Sequence, residues 1–259
     1  MMRALYTAAT GMNAQELKMQ VTANNLSNAS TTGFKKARAE FEDLLVENLR
    51  PAEAADKGGR PIGLEVGLGV RAAGTSRSFA TGDFINTQNP LDVAIEGNGF
   101  LPVRQRDGSL ALTRAGNLRV DSVGALVTQQ GLVVEPGITV PSDATSVTIG
   151  DDGRVRAVVP GRTEPQDLGV LELAMVENPG GLSATGQNLY VTTEASGRTE
   201  FVKPGEGGSG RFLQGFLEGS NVKTVEEMID LITTQRAYEM QSKVIQTADQ
   251  MLQRLTNLR

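Results

Sequence analysis

The chain has 259 residues, 39% of them hydrophobic and 21% charged, enough for one large domain or two modest ones with a buried core. Its net charge is −5 and it has no long basic run, so it lacks the clustered Lys and Arg of a phosphate-binding surface, and nucleic acid is not an expected partner. Cysteine and histidine are both absent, which removes thiol nucleophiles, disulfides, zinc-finger ligand sets and Ser-His-Asp triads.

Residues 1–30 read as a helix. Leu5, Met12, Met19 and Leu26 recur at every seventh position and fall on one narrow face, as in the seam of a coiled coil. Gly11 weakens this helix locally, and Gly33 is placed to end it in a left-handed conformation. Arg3, Gln15, Glu16 and Lys18 interrupt any apolar stretch of the ~7–15 residues that a cleaved secretory signal needs, so none is expected. No segment approaches the ~20 apolar residues of a membrane span, and direct membrane insertion is not expected.

Residues 48–74, with Pro51, Pro61 and many glycines, read as extended and turn-rich. From residue 75 to about 215 the pattern changes to a period of two, as in Leu91, Val93 and Ile95. Gly108, Gly124 and Gly153 each close an Asp-containing stretch between apolar runs, as hairpin turns do. Turns at a spacing of ~8–12 residues predict an all-β body.

The C-terminal segment returns to helix. Thr224 and Glu227 have the spacing of a capping box, and Arg254 and Arg259 sit near the negative end of the helix dipole. Leu231, Tyr238, Ile245 and Leu252 again recur every seven residues. The expected fold class is therefore α+β. Helices at residues 1–30 and 224–259 form a coiled-coil-like stalk, extended linkers occupy 31–74 and 212–223, and a β-rich body spans 75–211.

Several chemical readings are weighed and set aside. Gly205, Gly207 and Gly210 satisfy the spacing of a dinucleotide loop, but Pro204 precedes them and an apolar strand-like run follows, where the mechanism needs a helix. Asp151 and Asp152 lack the spaced oxygen ligands of a calcium loop. A β-rich cell-wall hydrolase would need two facing carboxylates; Asp92, Glu96 and Asp107 are available, but each sits beside a turn signal. A surface adhesin would carry a secretory signal. No catalytic residue, cofactor or metal ligand is expected.

Asn24, Asn25, Leu26, Asn28, Thr32, Gly33 and Phe34 near one end, and Gln235, Arg236, Ala237 and Tyr238 near the other, form ordered motifs. With Asn89 to Ile95, Gly97 to Phe100 and Leu112 to Asn117 between them, the chain resembles the rod and hook proteins of the bacterial flagellum over nearly its whole length. Within that family, stretch 48–74 is similar to an extended segment that the straight rod carries and the hook protein lacks. The resemblance implies a non-enzymatic subunit of a hollow helical tube that transmits torque. Leu5, Met12, Met19, Leu26, Leu231, Tyr238, Ile245 and Leu252 would form its polymerisation seam. Further copies of the chain, other rod and hook or hook-junction proteins, the surrounding P and L rings and the flagellar type III export apparatus are the implied partners. The implied location is the basal body, with the rod crossing the periplasm after export without a cleaved signal.

Overall fold

A computed structural model describes residues 2–50, 62–161 and 164–257. The expectations attached to Pro51, Pro61 and Arg259 fall outside these residues. The architecture is α+β, in two compact units: Met1–Ser27 with Ala37–Arg77 and Lys223–Arg259, and Asn28–Lys36 with Ser78–Val222.

The first unit contains α1 (Met2–Ser27), four strands and α2 (Thr224–Asn257). β1 (Ala37–Asp43), β2 (Val46–Arg50), β3 (Leu64–Gly67) and β4 (Val70–Arg77) form two antiparallel pairs, β1 with β4 and β2 with β3. Among its described residues, the stretch 31–74 read as extended linker is thus mostly paired, each strand supplying the hydrogen bonds its neighbour needs. α1 ends at Ser27, several residues before Gly33. Gly33 does adopt a left-handed φ of 69°, but in the following loop and not as the helix cap.

The two helices run antiparallel. Asn25, near the end of α1, donates to Glu227 in the first turn of α2, and Gly11 lies against Gln241, an equal number of residues further along each helix. α1 buries Ala8, Gly11, Ala14, Thr22 and Asn25, a face of small and polar groups. α2 buries Glu227, Thr234 and Ala248, with Leu231, Gln241, Ile245 and Leu252 half-buried at the intervening positions. These positions alternate in steps of three and four and their multiples, the heptad spacing read from the sequence. A Cβ on Gly11 would lie 2.6 Å from the Gln241 amide nitrogen, so glycine permits the close approach there.

The second unit is β-rich. Its strands are β5 (Phe84–Asn86), β6 (Val93–Glu96), β7 (Leu101–Arg104), β8 (Leu110–Thr113), β9 (Arg119–Val120), β10 (Leu126–Val127), β11 (Val133–Val134), β12 (Ser146–Ile149), β13 (Arg154–Val158), β14 (Gln166–Val170), β15 (Leu173–Val176), β16 (Ser183–Gly186), β17 (Leu189–Val191), β18 (Thr199–Val202), β19 (Arg211–Gln214) and β20 (Phe216–Glu218). The main sheet has the order β16-β17-β8-β7-β11-β10-β9, with a three-stranded sheet β12-β13-β14 and the pairs β15–β18, β6–β19 and β5–β20. Gly108, Gly124 and Gly153 take positive φ in the turns before β8, β10 and β13, as the Asp-Gly signals predict.

The core gathers Ile95, Leu101, Val103, Leu126, Val134, Leu171, Leu173 and Phe212. β6 departs from strict alternation: Val93, Ala94 and Ile95 are all buried, because both faces of the strand are covered. A smaller cluster stacks Phe79 edge-on against Phe100 and Tyr190, at centroid distances of 5.3 and 5.2 Å. Residues 212–218, read as connecting chain, form most of β19 and all of β20, pairing with β6 and β5.

Candidate functional site

Within the first unit, the end of α1 is tied down by one side chain. Asn25 donates to the Ala37 carbonyl (2.8 Å) and accepts from the Ala37 N–H (3.0 Å), as a neighbouring β-strand would. Its amide also donates to Glu227 Oε2 at 3.1 Å. One buried amide thereby joins the last turn of α1, the first residue of β1 and the first turn of α2. Such a group, satisfied in only one arrangement, fixes register more than it adds stability. Glu227, read from the sequence as a capping residue, accepts from this amide.

In the second unit, Lys35, Glu218 and Arg114 form a buried charge cluster. Lys35 Nζ lies 2.5 Å from Glu218 Oε1, and both side chains have no solvent exposure. Arg114 approaches Glu218 Oε2 at 3.3 Å, donates to the Gly97 carbonyl at 2.9 Å and lies 5.3 Å above the Phe100 ring centroid. Glu218 Oε1 also accepts the Gly82 N–H, and Lys35 donates to the Ala80 carbonyl. Burial pushes the pKa values of Lys35 and Arg114 below their ordinary values, while the Glu218 carboxylate pulls both back up.

Beside this cluster, Asn221 repeats the Asn25 arrangement. Its oxygen accepts the Lys36 N–H (2.7 Å) and its amide donates to the Ser78 and Ala80 carbonyls. Gly33 passes so close to the backbone of Arg114 and Ala115 that a Cβ would lie 2.7 Å from the Ala115 nitrogen.

The carboxylates weighed for hydrolysis do not share a cleft. Asp92 accepts from Asn89 and lines a depression with Asn117 and Gln129; Asp107 binds Ser109 in the β7–β8 turn, beside a different depression; Glu96 lines neither. The glycine-rich stretch 205–210 is a turn between β18 and β19, and no helix follows it.

Three family descriptions match: "Flagella basal body rod protein" over residues 5–35, "Flagellar hook protein FlgE/F/G D1 domain" over 94–157, and "Flagellar basal body rod FlgEFG protein C-terminal" over 213–258. The flagellar basal-body rod protein FlgG of Caulobacter vibrioides is 47% identical over 261 residues, covering 100% of both chains. That of Borreliella burgdorferi is 47% identical over 263 residues, covering 100% of this chain and 99% of its own. The flagellar basal-body rod protein FlgF of Salmonella typhimurium is 36% identical, covering 95% of this chain and 94% of its own. This chain belongs to the flagellar basal-body rod protein family. It is a structural protein.

The rod-family motifs are distributed over three kinds of place. Asn25, Gly33 and Phe34 are buried. Asn28 and Thr32 accept hydrogen bonds, the first from Thr31 and the second, through its carbonyl, from Asn188. Asn24, Gln235 and Arg236 are exposed, Ala237 and Leu26 are half-buried, and Tyr238 is 37% exposed. Among the heptad residues, Leu231, Ile245 and Leu252 lie on the α1-facing side of α2, whereas Leu5, Met12 and Met19 flank the small-residue face of α1 and stay half-exposed. Lys35, Arg114, Glu218 and Asn221 lie within or beside the motif stretches but receive no role from the sequence, because charged and amide side chains are mostly solvent-exposed and periodicity does not show that they meet. Their signal was the motifs themselves: Arg114 sits inside Leu112 to Asn117, Lys35 follows Phe34, and Glu218 and Asn221 lie just before α2.

Proposed function

We propose that this rod-family chain is a subunit of the distal rod, polymerising through α1 and α2 into a hollow helical drive shaft that carries torque from motor to hook. The observation that carries this reading is full-length similarity at 47% identity to two proteins named FlgG, both terminal helices included, against 36% to one named FlgF. A proximal rod or hook-type role is the reading that the 36% relative keeps in view.

In this reading residues 1–30 and 224–259 are the polymerisation domain and pack as a coiled-coil inner layer, with Leu5, Met12, Met19, Leu26, Leu231, Tyr238, Ile245 and Leu252 as its seam. The β-rich unit forms the outer shell. The heptad spacing of the α2 inner face supports a helical inner layer. Head-to-tail contacts that do not close give a filament, the symmetry a shaft requires. Proximal rod proteins and hook or hook-junction proteins would adjoin it axially, P- and L-ring proteins would surround it in the periplasm, and the type III apparatus would export it without a cleaved signal. Among the described residues no helix is long and apolar enough to cross a membrane.

Electron microscopy of the purified full chain under polymerising conditions tests this. Wild type is expected to form straight tubes, and Ile245→Asp or Leu252→Asp to abolish them while the β-rich unit keeps its circular dichroism. Unchanged polymer yield in both variants would remove these residues from the seam.

A further inference from the structure

Two features of the first unit have no use in its own packing. The first is a ridge on α2: Val225, Met228, Ile229 and Ile232 recur at i, i+3, i+4 and i+7, on the side turned away from α1, and are 49–68% exposed. Arg236 continues the same line one turn further, exposed and with no ion pair among the described residues. The second is a groove of about 560 Å³ lined by Tyr6, Leu44, Leu45, Val46, Leu68, Asp43 and Arg71, with Leu45 84% exposed. That volume is within the range of clefts that receive a ligand, ~300–1,000 Å³.

Ridge and groove sit at opposite ends of the unit. The antiparallel register that places Gly11 against Gln241 sets Tyr6 beside the C-terminal half of α2. At 1.5 Å per residue, the ridge ends roughly 20 Å short of that level. α2 is one continuous helix, so a chain cannot fold its own ridge into its own groove. The charges are also complementary: Asp43 at the groove, exposed and without an ion pair among the described residues, is opposite in sign to Arg236 on the ridge.

We infer that the ridge Val225, Met228, Ile229 and Ile232 of one copy docks in the Tyr6–Leu45–Val46 groove of a second copy, with Arg236 paired to Asp43. The contact rests on the assembly reading above and adds what that reading lacks, the residues that face each other between subunits. It is heterologous: each copy offers one ridge and one groove, so copies add without closing. Four apolar side chains cover far less than the ~1,000 Å² of a stable binary interface, so the contact is weak alone and cumulative in a polymer. The Asp43–Arg236 pair sets orientation more than affinity.

The absence of cysteine from the chain makes the contact directly testable. In the full-length protein, Leu45→Cys with Ile229→Cys in one chain is expected to give a ladder of disulfide-linked oligomers under mild oxidation, and neither single variant to give any. A mixture of the two single variants should give dimers only. Dimers from Ile229→Cys alone would mean that ridges pair symmetrically, and would overturn the inference. A double variant that stays monomeric while wild type forms tubes would also overturn it and leave the assembly reading standing. If wild type forms no polymer at any concentration, both fall together. Circular dichroism of each variant separates misfolding from lost contact.

Discussion

Replacing Glu218 by glutamine removes one charge while nearly preserving the shape of the side chain, so its effect isolates electrostatics in the buried cluster. Glu218 Oε1 accepts from Lys35 and from the Gly82 N–H, and Oε2 faces Arg114. Glutamine offers one acceptor oxygen where the carboxylate has two, so at least one donor meets an NH2 group. Two buried cations lose their shared counter-charge, and removing one partner of a buried ion pair costs about 3–5 kcal/mol. Lys35→Met should cost less, because Glu218 keeps Arg114 and the Gly82 N–H. The deficit of Glu218→Gln should also depend on pH in a stated direction. Lys35 has a folded-state pKa below its unfolded value, so between the two values the unfolded chain binds more protons and stability rises with pH. Without Glu218 that pKa falls further and the window opens at lower pH, so the variant regains stability relative to wild type as pH approaches ~10. Urea unfolding followed by near-ultraviolet circular dichroism, where Tyr190 and Phe100 report on the second unit, measures both effects. A deficit below about 1 kcal/mol at pH 7, or one unchanged up to pH ~10, would refute the reasoning.

Asn25→Ala is expected to cost about 1–3 kcal/mol in the first unit by stranding the Ala37 backbone groups, read as faster hydrogen exchange at the start of β1. Asn25→Asp should be at least as damaging at pH 7, since it sets a carboxylate beside Glu227, and should recover on acidification. In the second unit, a Cβ on Gly116 would lie 1.6 Å from the Val93 carbonyl oxygen, which is backbone and cannot swing aside. Gly116→Ala should therefore lower the urea midpoint by the equivalent of about 1–3 kcal/mol or more. Gly108→Ala, with open space around it, should cost only its positive φ, about 1 kcal/mol.

Much of this architecture is written locally and so can be read from the chain. The heptads of residues 224–252, the Asp-Gly turns and the strand alternation depend on neighbours within one element. The parts that were not legible depend on distant partners. Gly33 carries the signal of a helix cap, yet its left-handed backbone serves a close approach to Arg114 and Ala115. Phe212 opens a run that reads as strand-like yet falls in the expected connecting stretch 212–223; it is core because β19 pairs with β6. Lys35 and Glu218 are far apart in the chain, and no periodicity announces that two charged residues will meet without solvent. On α2 the heptads pick out Leu231, Ile245 and Leu252, which are half-buried on the α1-facing side, together with Tyr238, which is 37% exposed. The heptads give a less central face of α1, because small residues such as Ala8 and Gly11 carry little hydrophobic weight and yet make the closest contact.

That small-residue contact has an energetic consequence for the free subunit. α1 faces α2 with Ala8, Gly11, Ala14, Thr22 and Asn25, and no large apolar side chain of α1 is fully buried among the described residues. A fully buried Leu or Ile contributes ~1.5–3 kcal/mol, whereas alanine and glycine contribute little, and two polar residues at the seam mainly specify register. Isolated helices are marginal in water, so the pair has little to hold it closed while Val225, Met228, Ile229 and Ile232 stay exposed, and on the inference above a second copy would cover them. The second unit has no such dependence, since Leu101, Leu126, Leu171 and Leu173 are wholly buried within it. In dilute solution, amides of α1 and α2 should therefore exchange at least ~100-fold faster than those of β6 and β7, a gap of about 2.7 kcal/mol in opening free energy, and should gain protection on polymerisation. Equal protection of helices and β core in the monomer would show that the helical pair is already stable alone, and assembly would then have to draw its driving force from elsewhere.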